Sequence, residues 1–162
     1  MNPLALWLDL MASAAAGAMY LPPPPPVVDL PPGAYGVFNP TDPPRYVAHN
    51  GSLMLVYVNK DEDKVWITYA QPRPGLQAIG VVPGTLLVEG QWRQGAFSGI
   101  SHLYTPQCGP MPYRVSGTVD QASGALILEG GVPRVWGGTC AVADYVWSPT
   151  NSHLEFTRVD GQ

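Results

Sequence analysis

The sequence predicts an all-β chain, an antiparallel barrel or sandwich of roughly eight strands. Three observations carry this. Charged residues make up only 12% of the chain, while Gly and Pro are abundant at 18 and 19. Apolar and polar residues alternate at period two in run after run, the pattern of a strand with one face buried. Turn-forming clusters separate those runs about every ten residues, the spacing of strands in a sandwich or barrel.

The elements begin with "RYVAHNGSLMLVYV" at positions 45–58. Asn50-Gly51 sits between two apolar runs and suits the positive φ required at both centres of a type I′ turn. Tyr46-Val47 and Leu53–Val58 are therefore expected to pair as a hairpin. The same stretch contains the sequon Asn50-Gly51-Ser52. It matters only in a glycosylating secretory pathway. After the polar "NKDEDK", "KVWITYA" places Val65, Ile67 and Tyr69 on one face. "TLLVEGQW", "AFSGISHLY", "YRVSGTV", "ALILEG", "CAVADYVW" and "HLEFTRV" complete the strands. The cleanest alternation sets Tyr113, Val115, Gly117 and Val119 against Arg114, Ser116, Thr118 and Asp120. No segment after residue 44 has helical periodicity.

Upstream of this domain, expected over residues 45–160, lie two other segments. Residues 1–21 are apolar apart from Asn2 and Asp9, and Ala16-Gly17-Ala18 fits a small-residue cleavage site. No basic residue precedes Arg45, so the positive n-region of a signal peptide is missing. The segment reads first as an atypical signal, giving a periplasmic or secreted protein whose mature start falls near Met19. The alternatives are a membrane anchor over residues 4–21 and an ordinary amphipathic helix. Asp9 would be costly inside a bilayer. Residues 22–44 hold ten prolines, which favour extended polyproline II and make a stiff spacer.

Composition also excludes function classes. A net charge of −4 with eight scattered basic residues lacks the clustered positive face that nucleic acid binding draws on. Membrane contact is expected only through an uncleaved N-terminal segment. No phosphate-cradling glycine loop is present, and no cofactor is implied. His49, His102 and His153 lack close metal-ligand spacing, and "DEDK" lacks the alternating ligands and central Gly of a calcium loop, so no metal is implied.

Three candidate chemistries remain. "GTLLVEG" at 84–90 echoes "GALILEG" at 124–130 and supplies a carboxylate pair, Glu89 and Glu129. A glycosidase would need them facing one another across a bond. His102, six residues before Cys108, is the third catalytic candidate. Cys108 and Cys140 are the only cysteines: one disulfide in an exported chain, two buried thiols in the cytosol. Trp136, in the Gly-rich "VPRVWGGTC", is the aromatic residue best set for exposure and binding.

The runs "HNGSLM", "YAQPRPGL", "GVVPGTLLVEG", "CGPMPYRVSG", "TC" and "SHLEFTR", between Tyr46 and Arg158, resemble a class of small exported bacterial β-rich proteins of uncharacterised function. The resemblance implies export and a disulfide between Cys108 and Cys140. It supplies no catalytic residues. The leading expectation is an exported, non-enzymatic module binding a protein or an envelope polymer. A small cell-wall or carbohydrate hydrolase using Glu89, Glu129 or His102 comes second, and a secreted enzyme inhibitor third.

Overall fold

The barrel begins at Arg45 and closes on itself with its last strand. The structure, a computed structural model, describes residues 45–159. The signal-like segment 1–21 and the Pro-rich segment 22–44 lie outside the described residues. Ten strands follow: β1 Arg45–His49, β2 Ser52–Asn59, β3 Lys64–Gln71, β4 Leu86–Arg93, β5 Ala96–Thr105, β6 Gly109–Val119, β7 Leu126–Glu129, β8 Val132–Val135, β9 Val142–Val146 and β10 His153–Arg158. One helical turn, α1, spans Pro74–Gln77.

Strands β1 to β7 run as an antiparallel meander, and β10 pairs with both β7 and β1 to close an eight-stranded barrel. Closure leaves no open edge in the main sheet, which removes a template for aggregation. Strands β8 and β9 form a separate two-stranded sheet inserted between β7 and β10. Of the two architectures the sequence allows, the barrel is the one formed.

The first hairpin has the expected turn. Asn50 and Gly51 have φ of 46° and 77°, and His49 pairs with Ser52 directly before and after them. Along β6 the expected alternation is also present. Met111, Tyr113 and Val115 are buried, while Arg114, Ser116 and Thr118 are exposed. The interior is filled by one inward-facing set from all eight barrel strands, centred on Met54, Ile67, Val88, Phe97, Leu128 and Phe156. An eight-stranded barrel is just wide enough for side chains to fill, or to leave one small cavity. On β3, Trp66, Thr68 and Ala70 are shielded as well as their inward neighbours, so this strand is buried on both faces.

Two elements depart from the sequence expectation. Helix α1 is only one turn, too short to show a period. It forms because Arg73 is extended before Pro74, which occupies the first turn where its missing N–H costs nothing. Strand β8, "VPRV", escapes the alternation rule because of Pro133. It sits in a two-stranded sheet, where a residue without an N–H is tolerated.

The echo of "GTLLVEG" and "GALILEG" has a structural meaning. Gly84 and Gly124 both open their strands at positive φ, Glu89 and Glu129 are both exposed, and Gly90 and Gly130 both touch neighbouring backbone too closely for a Cβ. The two segments solve one local problem twice, the entry and sharp coiling of a barrel strand.

Candidate functional site

The inserted hairpin is the first of two candidate sites. The chain leaves β7 at Gly130, whose amide donates to the Ser152 carbonyl at 3.0 Å. Ser152 is fully buried, and its hydroxyl accepts from the Ser148 amide at 2.8 Å. These bonds fix the base of the hairpin. Its tip is fixed by a disulfide between Cys140 and Cys108, with Cα atoms 5.5 Å apart. Cys108 lies in the β5–β6 turn, so the bond ties an inserted sheet to the end of the long barrel hairpin. Arg134 and Asp144 pair across the hairpin as a two-point fork, one arm 2.7 Å from Nε to Oδ1. The fork holds the Asp144 carboxyl below the ordinary carboxylate range.

Aromatic side chains crowd this element. Trp136, Tyr145 and Trp147 are 64%, 60% and 59% exposed, and Val142 joins them. Among the described residues only one further large apolar side chain, Val82, is comparably open to solvent. Tyr145 on β9 and Trp147, just past the strand's end, are two residues apart, the spacing of side chains on one face of an extended chain. Tyr145 also walls a groove of about 420 Å³ against Ile100, Pro112 and Arg114 of the barrel. Burying rather than exposing such rings is the rule, so their concentration on one clamped hairpin is informative.

The second candidate is the barrel mouth beneath α1. The ends of β1, β3 and β5 and the starts of β6 and β10 surround a cavity of about 290 Å³. Leu76 and Ile79 from the α1 segment cover it on one side, with Leu154 from β10. Its polar lining includes His49, Tyr69, Arg73, His102, Tyr104 and Tyr113, together with Asn50, Ser52, Thr150 and Asn151. Burial pushes the Tyr69 phenol far up and that of Tyr104 up to about 12, so both remain protonated at neutral pH. Tyr113 donates to the Asn151 carbonyl at 2.7 Å, and Tyr104 to that of Leu86.

No family model, curated protein or solved structure matches this chain.

Glu89 and Glu129 are both exposed on the barrel wall, on β4 and β7, separated by β5 and β6. Three strand spacings amount to about 14 Å, too wide for two carboxylates to flank one glycosidic bond. Glu129 instead faces His153, at 3.2 Å. His102 lines the mouth, with Nδ1 3.3 Å from the Leu87 carbonyl, but neither glutamate does. Trp136 stands open on the hairpin, and Cys108 and Cys140 are joined. Among the described residues no group of three or more His, Cys, Asp or Glu side chains is placed to hold a metal ion. The mouth is not legible in the sequence. Its residues come from strand ends far apart in the chain, and only the inward parity of polar residues such as His49 and Ser52 signals it.

His49 links the mouth to pH. Its Nδ1 donates to the Glu155 carbonyl at 2.9 Å, and its ring stacks on Phe156 with centroids 4.7 Å apart. Burial lowers its pKa, with Arg73 and His153 adding repulsion, against the opposing pull of the Glu155 bond. A histidine with a depressed folded pKa favours the unfolded state when protonated. Stability is thus complete above the unfolded value, near 6.5, and falls as pH drops from there towards the folded pKa. Thermal melts from pH 7.5 to 5 should show a declining midpoint, and His49→Gln should flatten that decline. An equal decline in both chains would remove His49 as the cause.

Proposed function

We propose that this chain is an exported, non-enzymatic binding module that holds a protein partner on its β8–β9 hairpin. The observation that supports this reading is the exposure of Trp136, Tyr145 and Trp147 on an element clamped at both ends. Trp, Tyr and Arg are the residues that dominate protein interfaces, and Arg134 stands on the same hairpin. Rigid anchoring lowers the ordering cost of binding, because the rings need not be immobilised from a flexible loop. The disulfide fits an oxidising compartment, which supports export. Among the described residues no helix is long and apolar enough to cross a membrane.

The test uses the full chain with a photo-reactive phenylalanine analogue at position 142, between the aromatic side chains. Cross-linked partners are identified by mass and then titrated as purified proteins. Trp136→Ala and Trp147→Ala should each weaken binding about tenfold or more, with melting midpoints close to the parent. Unchanged affinity in the Trp136→Ala/Tyr145→Ala/Trp147→Ala chain would remove the hairpin as the binding surface. Retention on purified cell-wall polymer that depends on the same rings would replace the protein partner by a polymer.

A further inference from the structure

Arg73 brings a positive charge to the barrel mouth, whose lining mixes leucine and isoleucine with tyrosine, histidine, Asn, Ser and Thr side chains. Arg73 Nε is shut off from solvent and donates to nothing. No salt bridge to Arg73 exists among the described residues, and no acidic side chain lines the cavity. Arg73 is half-buried, and a guanidinium N–H shut off from water is costly unless something accepts from it. The nearest groups make the charge more pronounced. His49 uses Nδ1 on the Glu155 carbonyl, and burial beside Arg73 keeps it neutral. Tyr69 makes no side-chain hydrogen bond among the described residues, and its hydroxyl remains a donor across the usual pH range.

Around this pair the apolar part of the wall is Leu76, Ile79, Leu87, Leu103 and Leu154, and Asn50, Ser52, Thr150 and Asn151 add polar groups to the rest. The volume, about 290 Å³, equals that of about ten water molecules at ~30 Å³ each. That is the size of a compact molecule of roughly ten non-hydrogen atoms. Arg73 is itself well placed as an anchor. Its backbone amide donates to Ser52 Oγ at 2.9 Å, tying the residue to the start of β2. Pro74, immediately after it, restricts the backbone further.

We propose that the barrel mouth is a binding site for a small apolar monocarboxylate, its carboxylate held by Arg73 and Tyr69 and its body by the leucine and isoleucine wall. The guanidinium fork matches a carboxylate in two-point geometry, and the Tyr69 hydroxyl supplies a further donor. The aliphatic walls accept an alkyl chain, and the phenol rings of Tyr69 and Tyr104, in edge contact at 6.3 Å, accept a flat ring. This site is separate from the aromatic hairpin and does not depend on it.

The test is titration of the full chain, by calorimetry and by NMR, with octanoate and benzoate as the aliphatic and aromatic carboxylates. Octan-1-ol and inorganic phosphate are the neutral and purely anionic controls. At least one carboxylate should bind ten times or more tightly than octan-1-ol, and more tightly than phosphate, with shifts at Arg73, Tyr69 and His49. Which carboxylate wins identifies the body as aliphatic or aromatic. Arg73→Gln should remove the preference for carboxylate over alcohol, Arg73→Lys should restore part of it, and Tyr69→Phe should weaken it severalfold. Trp147→Ala should leave it unchanged. Equal binding of octan-1-ol, equal binding of phosphate, an unaltered preference in Arg73→Gln, or no binding at millimolar concentration would each overturn the proposal. A melting curve of each variant separates lost binding from lost fold.

Discussion

Replacing Gly90 by valine should lower the thermal midpoint by roughly 12 °C, from a loss of about 3 kcal/mol at about 4 °C per kcal/mol. The reason lies in how Phe97 is housed. Phe97 points into the barrel at 1% exposure opposite the buried Trp92 of β4, and the other inward positions around it are glycines: Gly90 on β4, Gly99 on β5 and Gly117 on β6. A Cβ at Gly90 would stand 2.5 Å from the Phe97 ring, 2.4 Å from the Ser98 carbonyl oxygen and 2.7 Å from the Gly99 Cα. The ring could turn aside, but the two backbone contacts could not without parting β4 from β5. Small and large residues thus alternate so that the Phe97 and Trp92 rings both fit in the barrel interior. Gly137 is the control, since nothing lies within 4 Å of its would-be Cβ. Gly137→Val should melt within about 2 °C of the parent, the range of an unremarkable surface change. Equal midpoints for the Gly90 and Gly137 variants, measured by calorimetry, would show that the interior yields where close packing says it does not.

The same glycines show what the sequence could and could not convey. Period-two alternation made β6 legible, because Tyr113, Val115 and Gly117 face one side and Arg114, Ser116 and Thr118 the other. Local turn chemistry made Asn50-Gly51 legible. Both are properties of neighbouring residues. Whether eight strands close into a barrel or stack as a sandwich is decided by one pairing, β10 with β1, which joins Val47 to Arg158. No local pattern encodes that. The mouth was hidden for the same reason: Arg73, His49 and Tyr113 meet only after closure. Trp136 was legible as an exposed ring because Gly137 and Gly138 follow it with no apolar periodicity to bury it. Its companions Tyr145 and Trp147 were not, since "ADYVW" reads as an ordinary strand. Only the separate pairing of β8 with β9, away from the barrel, turns those rings outward. The glutamate pair fails to converge for a simpler reason. Equivalent positions in two echoing strands lie as far apart as the strands themselves.

Removing the disulfide should act most strongly on the hairpin it clamps. With the whole chain unfolded, the bond closes a loop across a sequence separation of 32, and the chain-entropy relation gives about 3–4 kcal/mol for such a loop. With the barrel still folded the constraint is different. The hairpin is already held at Gly130, so the bond closes only the stretch from there to Cys140, about ten residues, and contributes about 2–3 kcal/mol against local opening. The barrel ladder runs from β1 round to β10 without passing through β8 or β9, and none of its hydrogen bonds depends on the insertion. A Cys108→Ser/Cys140→Ser chain should therefore keep its barrel but exchange the amides of Val142–Val146 roughly a hundredfold faster, while those of β2 and β3 change less. Adding reductant to the parent should reproduce the effect. The global midpoint should fall too, because the unfolded chain gains the freedom of the longer loop. Binding through Trp136 and Trp147 should weaken along with hairpin protection, since the rings would have to be ordered on contact. Hydrogen exchange followed by mass spectrometry distinguishes the two scales. If β9 exchange is the same with and without the bond, the base contacts at Gly130 and Ser152 suffice to hold the hairpin. The disulfide would then protect only the unfolded-state balance, and the aromatic surface would owe its rigidity to the β7 exit rather than to the clamped tip.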